Sequence, residues 1–186
     1  MALILDGNGS MTVGNGDITG INTGALPSTF IGAGAVLQVV QTVKTDTFSS
    51  SATSFTNITG LTATITPSSS SSRILVMASV AVADASGYFV HIRLARGGSA
   101  ILQGDAAGSR IRTGGTTYNN PGSNNEQHYW SQQVVDSPAS TSSLTYSVQM
   151  CQIDGVTHYV NRLARDDNAS YEPRGASSII LMEIAG

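Results

Sequence analysis

Apolar and polar side chains alternate with a period of two in several stretches of this chain, and this alternation limits the fold more than any other feature. The stretch 144–151 has leucine, tyrosine, valine and methionine at every second position, and 61–66 and 88–94 repeat the pattern. Neighbouring side chains of a β-strand point to opposite faces, so this spacing predicts strands with one buried face. Residues 74–83 are apolar almost throughout, which predicts a central strand that is covered on both faces.

The composition also favours β structure. Charged residues make up 11% of the 186 residues and hydrophobic residues 40%, whereas an average domain is roughly 25% charged. Serine, threonine, asparagine and glycine take the place of the missing charge, and they favour turns and strands over long solvated helices. We therefore expect residues 36–186 to form an all-β domain, an antiparallel β-sandwich of the jelly-roll type with about eight or nine strands and no helix.

Glycines and polar runs mark the predicted connections between strands. Gly-Gly at 97–98 and Asp-Gly at 154–155 each predict a β-hairpin. Thr-Gly at 59–60 separates two alternating stretches. Residues 104–126 and 161–175 are polar with little periodicity, which predicts long loops.

The first 35 residues follow a different pattern. Gly-Asn-Gly occurs at 7–9 and again at 14–16, with single apolar residues spaced among further glycines. So few apolar side chains cannot bury a core of their own, and glycine raises the entropic cost of ordering. We therefore predict that residues 1–35 are an extended arm that becomes ordered against a partner by filling pockets or joining a sheet edge. The predicted anchoring residues are Leu3, Leu5, Met11, Val13, Ile18, Ile21, Leu26 and Phe30.

Charge and motif content argue against several classes of function. The net charge is −3 and no basic run is present, so nucleic-acid binding has no electrostatic basis. The three histidines lack the spacing of metal ligands, and no catalytic or cofactor-binding motif occurs, so we predict no enzyme activity, no metal and no cofactor. A polysaccharide hydrolase stays open as an alternative, because its two carboxylates can come from distant positions. The carboxylates available for it are Glu126, Asp136, Asp154, Asp166 and Glu172.

The remaining signals concern compartment and surface contacts. The single cysteine, Cys151, excludes an intrachain disulfide. No apolar run reaches the roughly 18 residues of a membrane span, and the first residues lack the basic region of a signal peptide, so we expect synthesis in a cytoplasm and release by lysis. Tyr118 and Trp130 carry rings that can stack on a sugar, although a lone tryptophan is more often part of a core or interface. With Arg110 and Arg112, they are our candidates for surface contact.

Several segments together resemble the short tail-fibre-like virion proteins of marine and cyanobacterial bacteriophages. They are 36–41 (VLQVVQ), 44–49 (KTDTFS), 61–68 (LTATITPS), 72–76 (SRILV), 104–110 (GDAAGSR), 135–138 (VDSP), 160–162 (VNR) and 178–184 (SIILMEI). The opening 5–12 (LDGNGSMT) is similar to the N-terminal arm of that family. The resemblance covers nearly the whole chain.

This resemblance implies a structural component of a phage particle with no enzyme activity. It implies a tail-fibre or appendage role, in which the arm contacts other virion proteins and the β-sandwich faces a host-surface glycan. A capsid decoration protein is the first alternative, since the same kind of domain serves there. A homotrimer is expected, because surface spikes and fibres of this kind are commonly trimeric and because residues 74–83 and 177–184 carry more apolar surface than one small sandwich hides.

Overall fold

A computed structural model describes residues 4–5, 11–12, 32–84, 88–118 and 126–186 of the chain. The chain falls into two compact units, residues 1–32 and 33–186. In the first unit, β1 (Ile4–Leu5) pairs antiparallel with β2 (Met11–Thr12), a pairing that the sequence pattern did not indicate. The anchoring role of residues 1–35 stays a prediction. The anchoring residues that lie outside the described part of the chain are Leu3, Val13, Ile18, Ile21, Leu26 and Phe30.

The described residues of the second unit form eleven strands. They are β3 (Val36–Lys44), β4 (Phe48–Ser50), β5 (Thr56–Ile65), β6 (Arg73–Ala83), β7 (Phe89–Arg96), β8 (Ser99–Ala100), β9 (Gly115–Tyr118), β10 (His128–Asp136), β11 (Leu144–Cys151), β12 (His158–Val160) and β13 (Ser177–Ile184). The described residues form no helix, so the all-β prediction is confirmed. None of them belongs to a helix that is long and apolar enough to cross a membrane.

The strands form two antiparallel sheets with the connectivity of a jelly roll. In the first sheet the order is β3, β13, β6 and β10, with β12 pairing β6 and β4 pairing β12. In the second sheet the order is β5, β11, β7 and β9, with β8 also pairing β7. If the short strands β4, β8 and β12 are set aside, the other eight strands of this unit can be numbered 1 to 8 along the chain. The strand orders of the two sheets are then 1-8-3-6 and 2-7-4-5. This is the jelly-roll order of a double-sheet sandwich, which confirms the predicted fold class.

The core lies between the two sheets and comes from the alternating apolar positions that the sequence pattern marked. Val76 of β6, Ile92 of β7, Val148 of β11 and Leu181 of β13 are completely buried. Each apolar side chain removed from water in this way stabilises the fold by about 1.5–3 kcal/mol before entropy is counted. The sandwich therefore needs no disulfide, and the thiol of Cys151 is free and buried.

The connections differ from the sequence prediction in two places. Residues 59–60 do not end a strand, because β5 runs through them with Gly60 at a φ of 82°. A register shift against β11 accompanies this point, and Ile58 and Leu61 both face the core although they are three residues apart. Residues 154–155 do not close a hairpin, because β11 belongs to the second sheet and β12 to the first.

Other predicted connections agree with the structure. The Gly-Gly turn at 97–98 joins the paired strands β7 and β8, and both glycines have positive φ values, 54° and 85°. Residues 161–175 form no strand. The stretch 104–126, of which 104–118 and 126 are described, contains the short strand β9 at the edge of the second sheet.

Candidate functional site

The first sheet has an apolar outer face, on the side away from the core. Its side chains come from alternate positions of β3, β13, β6 and β10, and the strand register aligns them in rows. One row consists of Val39, Met182, Leu75 and Val135. The next row consists of Gln41, Ile180, Met77 and Gln133. We call the whole surface the apolar face; its residues are Val36, Val39, Gln41, Val43, Arg73, Leu75, Met77, Ser79, Tyr129, Ser131, Gln133, Val135, Ser178, Ile180, Met182 and Ile184.

Solvent reaches the apolar face mostly along its two edges. Val39 on β3 is 55% exposed, and Val135 and Tyr129 on β10 are 48% and 60% exposed. On the central strands β6 and β13 the side chains of the apolar face are half-buried, except Arg73, which is exposed. Arg73 is the one charged residue of the set. An antiparallel sheet that meets water usually has a polar outer face, so an almost uncharged apolar one indicates a surface that is covered in the assembled protein.

The outer face of the second sheet is different, because its polar groups bind one another. Asn57 Oδ1 accepts hydrogen bonds from Ser147 Oγ at 3.1 Å and Gln149 Nε2 at 2.9 Å. Gln149 Oε1 in turn accepts one from Arg93 Nε at 2.9 Å. The Arg93 guanidinium lies 3.9 Å from the centre of the Phe55 ring, a favourable cation–π contact. These four polar groups are therefore bonded to one another within one chain.

Three of the four predicted surface contacts are exposed, and the fourth is buried. Tyr118 is 40% exposed, and its ring centre lies 4.7 Å from that of Phe89. Arg110 and Arg112 lie in the connection between β8 and β9 and are exposed. Trp130 is 6% exposed and belongs to the core. The prediction of a surface contact at Trp130 is therefore corrected, because its ring is not available to a ligand.

Three of the five carboxylates considered for a hydrolase, Asp136, Asp166 and Glu172, take part in ion pairs or hydrogen bonds within the fold. Asp136 accepts a hydrogen bond from Tyr146 Oη at 2.7 Å and pairs with Arg96. Three further ion pairs, all within the 161–175 loop, involve Asp166 or Glu172. They are Arg162 with Asp166 at 3.4 Å, Arg174 with Asp166 at 3.0 Å, and Arg165 with Glu172 at 2.5 Å. In the described residues no group of three or more histidine, cysteine, aspartate or glutamate side chains is arranged to hold a metal ion.

Asp84 and His158 form a buried pair that was not predicted from the sequence. Asp84 follows β6 directly, and its Oδ1 lies 3.7 Å from Nδ1 of His158, both side chains being completely buried. Burial lowers the pKa of His158 to about 4, which keeps the ring neutral at neutral pH. Burial also raises the pKa of the Cys151 thiol to about 11, so it is not a thiolate nucleophile near pH 7. The only sequence signal for Asp84 was a carboxylate at the end of an apolar run.

No protein-family model matches the chain, and no curated protein is recognisably similar to it. The function is therefore inferred from the surfaces and side chains described above. Of these, the apolar face is the largest feature that folding of a single chain leaves unexplained.

Proposed function

We propose that this chain is a non-enzymatic structural protein of a bacteriophage virion, of the tail-fibre or appendage type. In this proposal residues 1–35 anchor it to the particle, and the β-sandwich is exposed for attachment to a host surface. The observation that carries the proposal is the apolar face on the outside of an otherwise complete jelly roll. A sandwich of this kind has finished its own core and still presents a sheet for assembly.

The chemistry of the charged groups supports a structural role. Asp136, Asp166 and Glu172 are neutralised by arginines at short distance, whereas a glycoside hydrolase needs a free acid and a free base or nucleophile facing a substrate. The buried thiol of Cys151 is also unsuited to nucleophilic catalysis. These groups serve the stability of the sandwich and its loops.

A capsid decoration protein is the second candidate, and the same apolar face supports it. The two roles differ in where the subunit sits on the particle. A reconstruction of virions from the phage that encodes the chain separates them, since density for the jelly roll will lie either on the tail or on the head. Absence of the chain from mass spectra of purified virions would rule out both.

The anchoring part of the proposal is tested by truncation. Gly34 N donates to Ala185 O at 2.8 Å, and Ala185 N donates to Ala35 O at 2.8 Å. A chain beginning at Ala33 keeps both bonds, so it should fold like the full chain. We expect it to be missing from virions when it replaces the full-length protein during infection. Incorporation at the full-length level would show that the anchor lies elsewhere.

A further inference from the structure

The apolar face is as wide as a whole sheet, which limits what can cover it. Four strands about 4.8 Å apart, with a rise of about 3.3 Å per residue, give a surface of about 19 Å by 30 Å for strands such as the nine-residue β3. A single extended segment is one strand wide and leaves most of the four columns in water. An adequate cover is therefore another sheet.

The second sheet cannot supply that cover. On its outer face Ser147 and Gln149 are only 4% and 6% exposed and are hydrogen-bonded to Asn57 and Arg93, so this part of the face is already buried within one chain. The apolar face has a single charge, at Arg73, and matches another copy of itself in polarity. Among the faces of this chain, its best partner is the apolar face of further copies.

The width of the face fits three copies. Three sheets about 19 Å wide, arranged as the sides of a triangular prism, each lie about 5.5 Å from the central axis. Packed sheets lie about 10 Å apart, so each sheet contributes about 5 Å of side chains to a shared core. Three apolar faces therefore meet at the axis without leaving a channel, with Met182 and Leu75 in the middle of each face.

The exposure pattern favours the prism over a two-fold stack of faces. The most exposed apolar side chains lie on β3 and β10, the two opposite edges of the four-strand face. At each corner of a prism, β3 of one copy lies beside β10 of the next. Rotation about an axis along the strands keeps each row at one height, so Val39 of one copy meets Val135 of the next. This contact closes after three copies and shields both edges.

We infer that the apolar face is a self-association surface through which three copies pack around a common axis, with β3 of each copy beside β10 of the next. The inference rests on the proposed function in one respect, that the trimer is the form carried by the particle. The corner contact and the central contact each give an experiment.

Cross-linking tests the corner. In one chain Val39 and Val135 are separated by three strand spacings, about 14 Å, which exceeds the roughly 7 Å limit for a disulfide. The double variant Val39→Cys/Val135→Cys should therefore form interchain disulfides and run as a trimer on a non-reducing gel. Neither single variant should cross-link. A cross-linked dimer from Val39→Cys alone would show a two-fold arrangement, and uncross-linked double variant would also overturn the inference.

Sedimentation equilibrium tests the centre. The wild-type protein should have three times the 19.2 kDa mass of the chain. Met182→Glu places a charge in the middle of the apolar face and should give a monomer with an unchanged far-UV spectrum. Thr64→Glu, at an exposed position of the second sheet, is the matched control and should stay trimeric. Val135→Glu, at an exposed edge position, gives a second readout should Met182→Glu fail to fold.

The outcomes separate this inference from the proposed function. A monomeric or dimeric wild-type protein, or a trimeric Met182→Glu variant, overturns the inference. The chain beginning at Ala33 should remain trimeric, and a monomer would show that residues 1–32, and not the apolar face, hold the copies together. A trimer that is absent from purified virions would refute the proposed function and leave the self-association surface standing.

Discussion

Glu183 binds Ser68 through both donors of that residue, since its Oε1 lies 2.7 Å from the backbone nitrogen and 2.7 Å from the hydroxyl oxygen of Ser68. Its Oε2 accepts a hydrogen bond from Gln38 Nε2 at 2.6 Å. Glu183 is completely buried and fastens the connection between β5 and β6 to the first sheet. Burial by itself raises the pKa of Glu183, but the hydrogen bonds from Ser68 and Gln38 outweigh it and lower the pKa to about 2.

The Glu183→Gln variant should lose stability at neutral pH and lose the acidic part of the pH dependence. The folded pKa of Glu183 lies below the ordinary value of 4.5, so its ionised form stabilises the fold above about pH 4.5, and this contribution is lost as the pH falls towards 2. The lowering of the pKa from 4.5 to about 2 corresponds to a contribution of at most about 3 kcal/mol to the free energy of unfolding. Denaturant titrations at pH 7, 4.5 and 3 should show a larger acid loss in the wild type. Equal losses in the two proteins would contradict this assignment.

His158 should determine how the stability of the fold depends on pH in a second range, between pH 6.5 and about 4. Burial lowers its pKa from 6.5 to about 4, although nearby Asp154 acts in the opposite direction. The unfolded chain therefore takes up the proton first, so stability present above pH 6.5 is lost as the pH falls towards 4, by up to about 1.4 kcal/mol per pH unit. The His158→Gln variant should show a flatter profile between pH 6.5 and 5. NMR signals of the His158 ring should still report the neutral form at pH 5, and a protonated ring there would disprove the prediction.

Replacing Asn161 should be among the most damaging changes outside the apolar core. Its Nδ2 donates to the carbonyl oxygens of Lys44 and Asp46, each at 2.9 Å, and its Oδ1 accepts from Ser177 Oγ at 2.6 Å. The residue is completely buried and has a φ of 63°, a conformation that asparagine tolerates better than alanine does. Asn161→Ala should lower the free energy of unfolding by about 3–5 kcal/mol.

The control for that change is Asn161→Gly, which loses the same three hydrogen bonds but adopts positive φ without strain. We expect chemical denaturation to place it about 1 kcal/mol above Asn161→Ala in stability. Identical stabilities would mean that the backbone conformation contributes nothing and that only the hydrogen bonds count.

Gly115→Ala should disturb the packing of Trp130. A Cβ atom at position 115 would lie 2.5 Å from the indole Nε1 and 3.1 Å from Cδ1 of Trp130, so the ring must shift. Overpacking of this kind costs about 1–3 kcal/mol. Trp130 is the only tryptophan, so a red shift of the fluorescence emission reports on the site directly. Gly104→Ala, with nothing within 4 Å of the added atom, should leave stability and emission unchanged.

The sequence predicted the parts of the fold that depend on local pattern. The alternation along β11 and the Gly-Gly turn at 97–98 are both found in the structure. The course of the chain after 154–155 was not predictable, because an Asp-Gly turn is the same whether the next strand joins its own sheet or crosses to the other. The packing of Trp130 depends on Gly115. This glycine lies on a different strand and comes close to the Trp130 ring only when β9 and β10 are folded.

The apolar face was anticipated only as an excess of apolar residues. The run 177–184 is apolar at more positions than one buried face requires. The row formed by Val39, Met182, Leu75 and Val135, however, exists only through the register of three strand pairs. The registers between strands that are far apart in sequence are set by the whole sandwich. Local sequence patterns therefore could not predict this row.

The place of β13 in the first sheet has a consequence for protein synthesis. β13 lies between β3 and β6, and the ribosome reaches it only after every strand of the second sheet has been made. In the described residues β13 is the one strand that pairs with β3. Before β13 emerges, Val39 and Leu75 are not aligned, and no continuous apolar patch exists. If copies associate through the apolar face as inferred above, we expect nascent chains on one messenger RNA to associate only after β13 has paired with β3 and β6.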